Sequence, residues 1–412
     1  MQDFLENLKR VPDVKSWVQD SETIRSNLLS TLDKISSRVS GKAGPLVGLI
    51  IGVKDNISTK EFSTKMGTSF WKGTQGGFDA RVVSKLRYAG AIVAGKTRCS
   101  EFAVHKTTGT VNPRYPDNEP GTSSSGSASA IANNEVSISL GTQTAGSIIK
   151  PASYCGVIGF KPSFGEVPRT GVLKTTELFD TVGFFGRRVK DISTVYRTAR
   201  MSGSDHPLHE FRRSEFESGK FDSLIVFSGE GIDCPVDLLR QRFLDLVESI
   251  RDVFSIQNHL YLEFDFEKLR KSIYNVYYRD LAYFVQDHST VNEVSPQLGK
   301  ILEFGLGITD STYTDSRFLI LTWQKYLSSI PGNPLILSLA TSSGAPRIGN
   351  EDKFDANPFI TSAGLPQIAL PILRDDNNQL VAMSLSAKRF NDEALLNAAD
   401  KLFPHDVLSI ES

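Results

Sequence analysis

Two serine-bearing segments and one lysine are the parts of this sequence whose residue types and spacing could do chemistry. The first segment is Pro120-Gly121-Thr122-Ser123-Ser124-Ser125-Gly126-Ser127, between the loop Asn112-Pro113-Arg114-Tyr115-Pro116 and an apparent helix. By composition it fits a flexible linker. Its place before a helix also fits a phosphate-binding nest, although the Gly-Lys-Ser/Thr ending of a P-loop is absent. The second segment, Gly141-Thr142-Gln143-Thr144-Ala145-Gly146-Ser147-Ile148-Ile149-Lys150-Pro151-Ala152-Ser153, follows an apparent strand. Small residues ahead of Ser147 let the backbone turn sharply and aim several N–H groups into one concavity, which is what an oxyanion hole requires. A serine at the rim of that concavity is placed to attack a carbonyl carbon.

Such a serine needs a base. The six histidines, His105, His206, His209, His259, His288 and His405, sit in no recognisable triad context, and no G-x-S-x-G elbow is present. Lys54, at the end of the apolar run Leu46 to Val53, is the other candidate. A lysine with the ordinary pKa of about 10.4 is neutral at pH 7 in only about one part in a few thousand, equivalent to roughly 4 to 5 kcal/mol. Burial beside apolar residues removes much of that cost by lowering the pKa.

These residues must be held by regular elements, and hydrophobic periodicity indicates which. Leu46 to Val53 is continuous rather than alternating, as in a strand buried on both faces. A helix from about Ala80 to Ala89, with Val82, Val83 and Leu86 on one face, stops at Gly90 and leads into Ala91-Ile92-Val93-Ala94. The alternation recurs with a small-residue helix at Ser127 to Ala132 and strands at Val136 to Leu140 and Val157 to Phe160. It predicts a layered α/β unit with a mostly buried mixed sheet. The first forty residues read as one or two helices packed outside the core. Further on come a strand at Leu224 to Phe227, a helix near Pro235 to Phe254 and a tyrosine-rich helix at Leu269 to Val285. A hairpin follows at Gln367 to Leu373 and Leu380 to Leu385, then a helix from Asp392 to Leu402 capped by Asn391.

Composition limits the function classes. The chain has 412 residues, 46 Lys+Arg against 47 Asp+Glu and a net charge of −1, with no electrostatic footprint for nucleic acid or an acidic membrane surface. Three widely spaced cysteines, Cys99, Cys155 and Cys234, form no C-x-x-C pair, so neither a disulfide framework nor a zinc site is indicated. The N-terminus has acids where a signal peptide carries bases, and no stretch approaches the ~20 apolar residues that span a bilayer. A soluble, cytoplasmic protein is expected.

Taken together, the motifs resemble the amidase signature family. Gly52-Val53-Lys54-Asp55 matches its G-V-K-D, Pro120 to Ser127 its P-G-G-S-S-G-G-S, and Gly141 to Gly156 its G-x-D-T-G-G-S-I-R-x-P-A-x-x-C-G. The 24-residue separation of Ser123 from Ser147 also matches. So do Ala89 to Thr97 followed by Glu101-Phe102-Ala103, then Gly159 to Ser163 and Phe179 to Gly183. The resemblance is clear from residue 44 to 195 and returns weakly from Gly364-Leu365-Pro366 onward. It implies a single large α/β/α domain, a central mixed β-sheet covered by helices. Residues 1–43 would be N-terminal helices, 44–195 the core, 196–355 a variable substrate-pocket region, and 356–412 a hairpin and helix completing the core.

The resemblance also implies a Ser-cisSer-Lys triad. Ser147 would be the nucleophile and Lys54, entering neutral, the base. Ser123, on a cis peptide bond, would relay the proton and later deliver it to the leaving nitrogen. The oxyanion hole would be the backbone N–H groups of Thr144, Ala145, Gly146 and Ser147. The reaction would be acyl transfer through an acyl-enzyme and then hydrolysis, with no metal and no cofactor. This chain departs from the family pattern at Ser125, Gln143, Ala145 and Lys150, where Gly, Asp, Gly and Arg are usual. No catalytic hydroxyl or amine is lost, but Ala145 narrows the hole by a methyl unless its φ must be positive. Cys155 reads as a core thiol and Asp180 as a structural carboxylate. The tyrosines Tyr274, Tyr277, Tyr278 and Tyr283 fit a substrate funnel and an ordinary amphipathic helix equally well.

The expected activity is hydrolysis of a small-molecule carboxamide or urea-like C–N bond, without nucleic-acid or membrane partners and with a homodimer left open as the assembly. The alternatives are the A subunit of a glutamyl/aspartyl-tRNA amidotransferase, working as a glutaminase, and an inactive binding relative. The balanced charge and the divergent stretch from His105 to Thr110 weigh against the amidotransferase.

Overall fold

Apolar runs punctuated by glycine fold as strands, and the amphipathic stretches between them fold as helices over both sheet faces. The computed structural model describes residues 15–36, 44–71, 76–104, 109–201, 220–227, 237–287, 293–350 and 355–411. In chain order the helices are α1 (Ser21–Ser36), α2 (Arg81–Tyr88), α3 (Ser125–Ala132), α4 (Ile149–Cys155), α5 (Val189–Ala199) and α6 (Asp237–Phe254). They continue with α7 (Phe266–Gln286), α8 (Pro296–Leu306), α9 (Asp310–Ser329), α10 (Asn357–Ser362) and α11 (Asp392–Leu402). The strands are β1 (Ile50–Lys54), β2 (Ile92–Thr97), β3 (Ile138–Gln143), β4 (Ile158–Lys161) and β5 (Thr181–Gly186). After them come β6 (Ser223–Phe227), β7 (Asn258–Leu260), β8 (Pro334–Leu339), β9 (Gln367–Arg374) and β10 (Leu380–Ser386).

All ten strands join one mixed sheet, in the order β2-β1-β3-β5-β4-β9-β10-β8-β6-β7. Each end is a parallel arm, β2-β1-β3 and β8-β6-β7. The centre, from β3 across to β8, is antiparallel. Every residue of β2, β3, β4, β5, β8 and β10 is buried, as a sheet covered on both faces demands. The single α/β domain is therefore as expected.

Several expected boundaries move. β3 begins at Ile138 and runs on through Gln143, because its ladder with β5 continues as far as Gln143 against Thr181. The turn ahead of Ser147 consequently starts at Thr144. Leu46 to Gly48 lies in a turn, and the first strand is Ile50–Lys54. Strands β6, β7 and β8, all within 196–355, extend the main sheet, so this region builds scaffold. Asn391 stands at the α11 N-cap but makes no capping bond; its amide donates to Asn333 Oδ1 at 2.7 Å instead.

The serine-rich segment is no linker. All of Pro120 to Ser127 is buried except the half-buried Thr122, and α3 begins within it at Ser125. Gly126 is required there: a Cβ would come within 2.4 Å of both Arg98 N and Ser16 O.

The N-terminal segment also differs from expectation. Residues 1–14 lie outside the described residues. Trp17 is not helical: it bridges Thr97 on the edge of β2, while Val18 N–H donates to Lys96 O at 2.9 Å. Trp17, with Ile24 and Leu28 of α1, belongs to the main hydrophobic core rather than packing outside it. What draws the segment in is the buried Glu135, which accepts from Trp17 Nε1 at 2.7 Å, Ser16 Oγ at 2.5 Å and Asn133 Nδ2 at 2.8 Å. Burial pushes the Glu135 carboxyl up to about 7 despite these three donors.

A carboxyl held above its unfolded pKa stabilises the fold while protonated, and that contribution fades as the pH climbs from the unfolded value through the folded one. Glu135→Gln should therefore gain stability over the wild type between pH 5 and pH 8. Urea midpoints of both proteins measure this, and a gap that does not change with pH would show that Glu135 holds no such proton.

Candidate active site

β1 lies between β2 and β3 and ends in Lys54, so the lysine side chain issues from the middle of a parallel arm with no exposure. Its Nζ is 2.6 Å from Ser123 Oγ, 2.9 Å from Thr142 Oγ1 and 3.4 Å from Thr142 O. Asn56 Nδ2 donates to the same Thr142 hydroxyl at 2.9 Å. Burial pushes the ammonium down to about 8, against opposing pulls from Cys99 and Asp180. A neutral amine has two N–H donors and one lone pair. Thr142 can accept both donors, which leaves the lone pair for the Ser123 O–H.

The Thr122–Ser123 peptide is cis, as the resemblance implied. Gly121 precedes it with φ +87°, and a Cβ there would sit 2.7 Å from Pro151 Cα. The serine loop is thereby packed on the helix that begins just after Ser147. Ser100 N–H donates to Ser123 O at 3.3 Å and holds the loop from the other side.

Ser147 lies in the turn between β3 and α4 and is partly exposed. Among the described residues its hydroxyl makes no hydrogen bond, so the structure joins Lys54 to Ser123 but leaves the Ser123 to Ser147 link open. Catalytic hydrogen bonds commonly close only when substrate is bound. Outside the helix and strand ladders, none of the N–H groups of Thr144, Ala145, Gly146 and Ser147 donates to a described residue. Ala145 does not have positive φ, so its methyl is accommodated without strain.

The departures from the family pattern acquire physical roles. Gln143 Oε1 accepts from Ile148 N–H at 2.7 Å and Ile149 N–H at 3.0 Å, at the start of α4. Lys150 Nζ, on the first turn of that helix, is 3.1 Å from Asp355 Oδ2. Asp180 accepts from Thr144 Oγ1 at 2.6 Å, Thr175 N–H at 2.5 Å and Thr176 N–H at 3.1 Å. It is thus the structural carboxylate expected. Burial pushes the Tyr277 phenol of α7 well above its ordinary value, with smaller contributions from Tyr278 and Asp180.

Burial pushes the Cys155 and Cys99 thiols up to about 12, consistent with core thiols. Cys234, His105, His206, His209 and His288 lie outside the described residues. Sequence reasoning missed Asn56, Thr142, Thr361 and Asp355. Asn56 and Thr142 stand inside or beside the motifs, whereas Thr361, whose Oγ1 donates to Ala145 O, and Asp355, which meets Lys150, reach the site only through tertiary folding.

The amidase family model matches residues 6–286. The chain belongs to the amidase family. Among its relatives is the chloroplastic/mitochondrial glutamyl-tRNA(Gln) amidotransferase A subunit of Oryza sativa subsp. indica. The two are 39% identical over 251 residues, 59% of this chain and 44% of that protein. The chain thus matches less than half the length of that relative. Among solved structures, one of a protein complex described as revealing the evolutionary origins of an s-triazine catabolic enzyme superposes with a TM-score of 0.84. It is 21% identical and covers 100% of this chain and 95% of the other. The native peptide amidase from Stenotrophomonas maltophilia gives 0.77 at 20% identity, covering 98% and 93%. At such identities these two likenesses establish the fold.

An amine whose folded pKa lies below its unfolded one weakens the fold most below the folded value, and the penalty disappears above the unfolded value. Lys54→Met should therefore be more stable than the wild type at pH 7, by up to about 3 kcal/mol, with the gap shrinking toward pH 10. Denaturation curves at both pH values test this. A variant less stable at pH 7 would mean that the amine's hydrogen bonds outweigh its desolvation.

Proposed function

We propose that this amidase hydrolyses the C–N bond of a small-molecule carboxamide or urea-like compound through an acyl-enzyme on Ser147. The observation that supports it most is the buried Lys54 amine, 2.6 Å from Ser123 Oγ, beside a turn that presents Ser147 together with backbone N–H groups that meet no partner among the described residues. In this reading the neutral amine takes the Ser123 proton while Ser123 takes that of Ser147. The Ser147 alkoxide attacks the carbonyl, and the N–H groups from Thr144 to Ser147 bind the oxyanion. The proton then returns through Ser123 to the leaving nitrogen, and water repeats the sequence to release the acid.

A second reading takes glutamine as the amide, with the chain working inside an amidotransferase assembly. The sequence relatives favour it, since the rice protein carries that name. The chemistry at Ser147 would be the same, and only the substrate and the assembly differ.

Ammonia release across carboxamides, aryl amides, ureas and glutamine, with Ser147→Ala as blank, separates the two. Turnover of a non-glutamine amide by the isolated chain is expected, lost in the blank. Release from glutamine alone, and only with partner proteins, would establish the second reading; full activity in Ser147→Ala would remove the nucleophile assignment from both. The rate should climb through about pH 8, where Lys54 loses its proton, and level off above it.

A further inference from the structure

We propose that Thr361 and Gln143 are positioning residues that set the direction of the backbone N–H groups ahead of Ser147, an inference resting on Ser147 as the nucleophile. Thr361, on α10, donates from Oγ1 to Ala145 O at 2.7 Å and accepts from Gln143 Nε2 at 2.8 Å. In a trans peptide the C=O and the following N–H point in opposite directions. Fixing Ala145 O toward Thr361 therefore turns the Gly146 N–H away from α10, to the face of the turn that carries no protein partner among the described residues.

Gln143 fastens the other end of the same turn. Its Oε1 takes the Ile148 and Ile149 N–H groups, so these two donors are spent while those from Thr144 to Ser147 stay available. The bridge needs an amide. A carboxylate could accept from Ile148 and Ile149 but has no proton to give Thr361 or Gln367 Oε1, which Gln143 Nε2 also meets at 3.3 Å.

Behind this pair the support is continuous. Gln367 Nε2 donates to Asn357 Oδ1 and to Ser384 Oγ, both at 2.8 Å, and Asn357 Nδ2 donates to Ala340 O at 2.8 Å. Gln143, Gln367 and Asn357 have no exposure and Thr361 has 1%, so water cannot stand in for a missing partner. Donors aimed before the oxyanion develops are what make such a hole effective, because nothing has to reorganise during the reaction.

The test is the rate at which a fluorophosphonate labels the serine, resolved into a binding constant and a maximal rate, for wild type, Thr361→Val, Thr361→Ser and Ser147→Ala. Thr361→Val should lower the maximal rate by about tenfold or more while binding stays within about twofold, and Thr361→Ser should recover most of the rate. An unchanged maximal rate in Thr361→Val, a loss confined to binding, or no recovery by serine would overturn the proposal. Should Thr361→Val not fold, Gln143→Glu takes its place, since it keeps the acceptor and removes the donor; a wild-type maximal rate there overturns the proposal equally. Labelling that persists in Ser147→Ala would instead defeat the nucleophile assignment, so the two failures read differently.

Discussion

The desolvation of one primary amine is the constraint around which this molecule is arranged. A lysine in water holds its proton at neutral pH, and only an environment that penalises the ammonium more than it rewards it can bring the neutral form within reach. The protein provides this by ending a central strand of a parallel arm at Lys54, with β2 and β3 on either side. Polar partners are then rationed. Thr142 and Ser123 supply three contacts, which suits a neutral amine, and among the described residues no carboxylate bonds to Nζ directly. Another buried lysine shows the opposite arrangement: Lys96 on β2 stands 3.4 Å from Asp55 Oδ1 and gives hydrogen bonds to Ile57 O and Thr64 Oγ1. Neighbouring strands thus carry an amine without a carboxylate partner and an amine with one.

The turn after β3 depends on the same sheet for a different reason. A strand that pairs through Gln143 delivers the next four residues at a fixed height above the sheet, and a helix starting at Ile149 limits them from the other side. Between those anchors the backbone could still rotate its peptide planes. Side chains from three separate segments prevent it: Asp180 through Thr144, Thr361 through Ala145, and Gln143 through the first amides of α4. The turn is a loop by assignment and scaffold by constraint.

Much of this is legible in the sequence, for a physical reason. Lys54, Ser123 and Ser147 stand in segments whose composition is set by local backbone demands: a doubly buried strand, a glycine that must have φ +87°, a small-residue turn. Such demands leave marks in the neighbouring sequence. Strand and helix types were readable on the same grounds, whereas the extension of β3 through Gln143 was not, because a Gly-Thr-Gln stretch has no strong strand preference and its pairing with β5 decides. Thr361 and Asp355 could not be read at all. They lie more than 200 residues from the turn they serve, and nothing local distinguishes a threonine that holds a carbonyl from one that faces solvent. Trp17 misled for a similar reason: its apolar neighbours have helical spacing, but Glu135 and the open edge of β2 compete for it and win.

That edge is covered by a short stretch of chain. β2 is the outermost strand of its arm, and its backbone groups are met by Trp17, Val18 and the side chain of Gln19, whose Oε1 accepts from Lys96 N–H at 2.9 Å. An unpaired strand edge is a template for another chain. A protease cut between Gln19 and α1 would leave Lys54, Ser123 and Ser147 untouched yet free this short cover to leave. Its loss would bare the β2 edge and at the same time strip the buried Glu135 of its Ser16 and Trp17 donors.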